Sequence, residues 1–81
     1  MRVYAREYLR KLRTSKHVTQ KELADALGMS QNNYSQIECG IKQKNIELRL
    51  LIKLADFFNV DLHELISEEV KYTRIRQKEV S

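Results

Sequence analysis

The chain has 81 residues, with 15 Lys or Arg against 11 Asp or Glu, a formal net charge of +4 and an isoelectric point near 9.4. A chain this short buries about 60% of its unfolded surface, which serves one domain and not two cores, and its single cysteine, Cys39, leaves no partner for an internal disulfide. It has no apolar run of about 20 residues to span a bilayer and no start of signal-peptide type, so a cytoplasmic protein without membrane contact is expected.

The charge is unevenly spread. Residues 1–21 hold seven Lys or Arg (Arg2, Arg6, Arg10, Lys11, Arg13, Lys16, Lys21) against the single acid Glu7, whereas residues 54–70 hold five acids and no base. One end therefore attracts a polyanion and the other repels it, which favours a nucleic-acid partner held in one orientation.

With no proline and two glycines, few breaks are expected, consistent with an all-helical chain. Residues 3–16 form the first helix, with Ala5, Tyr8, Leu9 and Leu12 inward and charges on the other side. Residues 14–17 turn the chain into Val18. Thr19 and Glu22 then have capping-box spacing, and Val18 and Leu23 that of a hydrophobic staple, so a second helix runs from Gln20 to Leu27. Gly28 stands where a left-handed residue would end it.

Ser30 caps a third helix at once, with Met29 and Tyr34 repeating the staple. On a wheel of this helix Tyr34 and Ile37 point inward, while Asn32, Ser35, Gln36 and in part Gln31 point out. That outer face carries amides and a hydroxyl but no charge before Glu38. Ordinary solvated faces are rich in Lys and Glu. A carboxamide, by contrast, can donate to and accept from adenine at once in the major groove. The plain alternative is a polar surface helix with no such role.

Residues 39–45 form a polar, basic loop, in which Gly40 ends the third helix and Lys42 and Lys44 are candidates to grip phosphate. Asn45 caps a fourth helix from Ile46 to Phe58, whose apolar residues cover far more than one stripe; it is either the central core element or also covered by a second subunit. Asp61 and Glu64 form a second capping box, and Val60 and Leu65 a third staple, for a short fifth helix ending near Ser67. Residues 68–81 read as a solvated extension of that helix, a frayed tail or a dimerising tail, so the expected division is a domain over 1–67 and an extension over 68–81.

The pattern Gln20, Leu23, Ala24, Leu27, Gly28, Met29, Tyr34, Ile37, Glu38, Gly40 resembles the helix-turn-helix of phage-repressor and Cro type regulators, the XRE family, over about Leu9 to Ile66. The resemblance implies an all-α, five-helix lambda-repressor-like DNA-binding domain. It also implies that Arg13, seven residues before Gln20, pairs with Glu38 and locks the first helix to the third. Gln20 would bond a phosphate and brace a neighbouring base-reading amide, and the loop of Lys42 and Lys44 would meet phosphate. His17 stands where relatives commonly have a left-handed glycine, and His is among the better-tolerated substitutes there. The loop before the fourth helix is about two residues longer than in most relatives and lacks their proline.

The expected function is thus a sequence-specific regulator of double-stranded DNA, a repressor in its expected sense, working as a homodimer. Gln31, Asn32, Ser35 and Gln36 would read bases, and Gln20, Arg10, Lys11, Asn33, Lys42 and Lys44 would contact phosphate or position the protein. The alternative from another class is a protein-interaction module, an antitoxin or adaptor of the same fold, which would use the apolar excess of the fourth helix or the tail. No enzyme is expected: His17 and His63 have no partnering motif, and no glycine loop, carboxylate pair or metal cluster appears. No cofactor, metal or small-molecule ligand is expected either. Cys39 is read as a small loop residue, with a redox role as the alternative.

Overall fold

A computed structural model describes residues 5–42 and 46–80, with only the backbone described for 77–80. Lys44, and Asn45 as the expected cap of the fourth helix, lie outside the described residues, as does the stretch where the first helix was expected to begin. The described regular structure is all helical: α1 Glu7–Ser15, α2 Gln20–Leu27, α3 Gln31–Glu38, α4 Leu48–Phe58 and α5 Leu62–Val80. The chain forms two compact units, Met1–Gln43 and Lys44–Ser81.

In the first unit the helix ends are set by local chemistry. Thr19 is extended, its hydroxyl accepts from the Glu22 amide at 3.1 Å, and the Glu22 carboxylate accepts from the Thr19 amide at 3.0 Å, a complete capping box. Those bonds hold the Glu22 carboxyl below its ordinary range. Gly28 is left-handed at φ 74°, which lets the Met29 amide reach back to the Ala24 carbonyl at 3.0 Å and stop α2. Ser30 caps α3 by accepting from the Asn33 amide at 3.1 Å, and Gly40, at φ 81°, follows its last turn. His17 takes the left-handed conformation at φ 59° after α1.

These ends fix the angle between α2 and α3, which pack on each other while α1 packs on α3. Leu9, Leu23, Ala24, Leu27, Tyr34 and Ile37 are buried, and each large apolar side chain removed from water contributes about 1.5–3 kcal/mol. The expected helix over 3–16 is corrected at its start: Ala5 and Arg6 precede α1, Ala5 is exposed, and Arg6, the N-cap, is buried at 0% exposure. Arg6 therefore leaves the set of bases available to a polyanion.

In the second unit α4 packs against α5. α4 begins at Leu48, two residues later than expected, because the N-cap is Glu47, whose side chain makes no capping bond. Asn59 ends it in the left-handed conformation at φ 54°, a stop the sequence reading did not name. Asp61 Oδ1 accepts from the His63 amide at 2.9 Å at the start of α5, whereas the Glu64 amide goes to the Asp61 carbonyl. α5 does not end near Ser67 but continues to Val80. The stretch from residue 68 onward is not merely solvated, because Glu69 and Tyr72 are buried and Arg76 donates to the Tyr72 hydroxyl at 2.7 Å.

Candidate nucleic-acid interface

The outer side of α3 is built from residues one turn apart. Gln31 and Asn32 are exposed, Ser35 and Gln36 half-buried, and positions 31, 32, 35 and 36 share one face by helical spacing. Among the described residues none bonds the side-chain amides of Gln31, Asn32 or Gln36. Their donors and acceptors are thus open to an external partner.

Beneath that face lies a charged pair that keeps it neutral. Glu38, the sole acid of α3, is buried. Arg13 Nε donates to its Oε2 at 3.0 Å and Arg13 Nη2 to its Oε1 at 3.1 Å, a fork matched to a carboxylate. The third arm, Nη1, donates to the Val18 carbonyl at 2.9 Å, so one guanidinium joins the end of α1, the entry to α2 and the end of α3. Burial pushes the Glu38 carboxyl up, but the Arg13 bonds, with the nearby Tyr34 hydroxyl and Gln20, outweigh it and hold the group below its ordinary value. Arg13 is raised in turn by its bond to Glu38. The Tyr34 hydroxyl is buried beside the pair without a well-directed hydrogen bond, and burial followed by the adjacent carboxylate pushes it upward.

The remaining candidates divide between α1, α2 and the loop. Gln20 is half-buried and its Nε2 donates to Glu38 Oε1 at 3.3 Å, so this amide extends the pair at the base of α2. Asn33 is half-buried, and its Oδ1 accepts from Lys42 Nζ at 2.6 Å. Arg10 and Lys11 are exposed on α1, and Arg10 is paired with Glu7 at 2.7 Å. That surface pair contributes at most about 1 kcal/mol, so a phosphate could displace it readily. The structure therefore brings together Gln20 with Arg13 and Glu38, and Asn33 with Lys42.

Arg6 is the residue that the sequence reading missed. Its amide donates to the Glu38 carbonyl at 2.7 Å, and its Nη1 donates to the carbonyls of Ile37 at 2.7 Å and Lys42 at 3.4 Å. The Ile37 and Glu38 carbonyls belong to the last turn of α3, where a cation is also favoured by the helix dipole, and the Lys42 carbonyl belongs to the loop that follows. No local pattern announces such a contact, since its acceptors lie more than 30 residues away.

A neutral amide face on the second of two capped helices, locked from below by a buried Arg–Glu pair, coincides with a family match over residues 9–65. The chain belongs to the helix-turn-helix family. It is of the phage-repressor and Cro type. It is 33% identical over 60 residues to the cryptic phage CTXphi transcriptional repressor RstR of Vibrio cholerae, a match that takes in 74% of this chain. The chain spans about half, 52%, of that relative's length. Among solved structures, the clp gene regulator ClgR from Corynebacterium glutamicum is similar at a TM-score of 0.68 and 25% identity, over 88% of this chain and 73% of the other. In helix-turn-helix terms α2 is the first helix, Gly28 the turn and α3 the recognition helix.

Proposed function

We propose that this chain is a sequence-specific double-stranded DNA-binding transcriptional regulator, acting as a repressor in the cytoplasm and reading the major groove with α3. The carrying observation is that α3 offers Gln31, Asn32, Ser35 and Gln36 on one face, with the three amides among them unbonded to any described residue and with its only acid neutralised underneath. A side-chain carboxamide pairs with adenine in a two-bond geometry, and a helix at this corner enters a major groove. Arg10 and Lys11 supply positive charge for phosphates, and Gln20, held on Glu38, positions the base of α2. Two copies would read half-sites about 34 Å apart. The likeness to a named transcriptional repressor and a named gene regulator supports the same reading.

A second reading, a protein-interaction module such as an antitoxin or adaptor, is favoured by exposed apolar residues of the second unit. Leu48 and Ile52 stand one turn apart on α4, at 58% and 40% exposure, and Phe57, Val70 and Ile75 are also exposed. The same residues would serve a homodimer.

Gel-shift titrations against random duplex and against duplexes recovered by selection, at two salt concentrations, separate the readings. A regulator prefers its selected sites and loses affinity steeply as salt rises, whereas a pure adaptor shows neither behaviour. Light scattering of the free protein tests the dimer.

A further inference from the structure

Lys42 and Asn33 form a unit that the amide face of α3 leaves unused. Lys42 Nζ donates to Asn33 Oδ1 at 2.6 Å, joining the loop after α3 to the first turn of that helix. The Lys42 main chain is held from two sides: its amide donates to the Gln36 carbonyl at 3.1 Å, and its carbonyl accepts from Arg6 Nη1 at 3.4 Å. The Ile41 amide reaches the same Gln36 carbonyl at 2.9 Å. Because Arg6 is wholly buried, the loop carrying Lys42 is anchored to the interior of the first unit, while the Lys42 side chain is exposed. Among the described residues no carboxylate pairs with its ammonium.

The chemistry of the pair is one-sided. An ammonium has three donors and no acceptor, so it dictates that the Asn33 amide turns its oxygen toward Lys42 and its NH₂ away. A free carboxamide matches adenine, whose major-groove edge has one acceptor and one donor. Here a second donor arriving at the Asn33 oxygen, such as the adenine amino group, would meet the ammonium. The Asn33 oxygen keeps one lone pair, but with the ammonium already on it the unit is net positive and favours partners that accept from the Asn33 NH₂ and the remaining Lys42 protons. The major-groove edge with two acceptors, N7 and O6, is guanine.

We infer that Asn33 and Lys42 act together as a guanine reader beside the amide face of α3, with Arg6 holding Lys42 in register. The inference rests on the DNA-reading function proposed above and adds a base identity to it. A backbone phosphate also offers acceptors only, but it would confer no base preference.

Sites are selected from randomised duplexes with the unaltered protein, Lys42→Met and Asn33→Ala, each first shown to retain the parent helix content and cooperative unfolding. The expected result is a guanine at one position of each half-site for the parent. At that position Lys42→Met and Asn33→Ala each lower the preference for guanine over adenine by about tenfold or more, with other positions unchanged. Replacing that guanine by 7-deazaguanine should weaken the parent and leave Lys42→Met nearly unaffected. If Lys42→Met loses affinity equally on all duplexes with a shallower salt dependence, the pair contacts phosphate and the guanine assignment is overturned. An unchanged guanine preference in both variants overturns it as well. A parent that selects no consensus at all would instead remove the DNA-reading function on which the inference stands.

Discussion

Arg13 and Glu38, 25 residues apart, are joined by two parallel hydrogen bonds of 3.0 and 3.1 Å, with side chains only 13% and 5% exposed. The pair ties the end of α1 to the end of α3, and so sets the base from which the recognition helix projects. Removing one partner leaves the other charge almost buried and unanswered, which costs about 3–5 kcal/mol in such settings. Arg13→Met and Glu38→Leu should each lower stability by an amount approaching that range in urea unfolding. The double variant should lose less than the sum of the two, because neither charge is then stranded.

The same carboxylate gives stability a pH dependence of defined sign. A carboxyl whose folded value is depressed contributes stability above its unfolded value and loses it as pH falls through the folded one. Glu38 is held below its ordinary 4.5, with the Arg13 bonds, Tyr34 and Gln20 outweighing the upward push of burial. Its contribution is therefore complete above that pH and declines on acidification below it. Urea midpoints measured from neutral pH downward should show the gap between the parent and Glu38→Gln narrowing below pH 4.5. A gap that widens on acidification would contradict the assignment.

Arg6 should behave as a structural clamp rather than as a DNA contact. Its side chain donates to the Ile37 and Lys42 carbonyls from a fully buried position, and hydrogen bonds from charged donors contribute about 1.5–3 kcal/mol each. Arg6→Met should destabilise the protein by at least about 2 kcal/mol in chemical unfolding. Arg6→Lys should recover only part of that, since an ammonium is a point donor and not a planar fork.

Gly28 tests the turn between α2 and α3. A methyl group placed there meets no atom within 4 Å, so the cost of Gly28→Ala comes from the backbone at φ +74° and not from a clash. That conformation costs an L residue about 1–2 kcal/mol. Thermal unfolding of Gly28→Ala should show a loss of this size, and Gly28→Asn a smaller one, because Asn tolerates the left-handed region better.

In the first unit the boundaries of α2 and α3 are set by neighbours in the chain and were legible, whereas the left-handed Asn59 stop of α4 was not. The Thr19–Glu22 box, Gly28 and the Ser30 cap are all signals of a few residues, and they place α2 and α3 at the expected ends. Features that need distant partners were not legible. Arg6 counts as surface charge until the carbonyls at the end of α3 are in place to receive it. The extent of α5 was hidden because its inward face is not apolar: Glu69, Tyr72 and Arg76 follow helical spacing, and a buried carboxylate and a phenol stand where aliphatic residues would have marked a core. The amide face of α3 was visible as composition, while the Lys42 bond to Asn33 depends on how the loop folds back and left no trace in the order of residues.

The most direct test is a competition assay of Gln31→Ala and Gln36→Ala on a duplex selected by the parent protein and on random duplex at the same salt concentration. If α3 reads bases through its amides, each change should weaken binding to the selected duplex by about 1–3 kcal/mol while binding to random duplex stays the same. An equal loss on both duplexes would show that these side chains carry no sequence information, and would contradict the base-reading role of the helix.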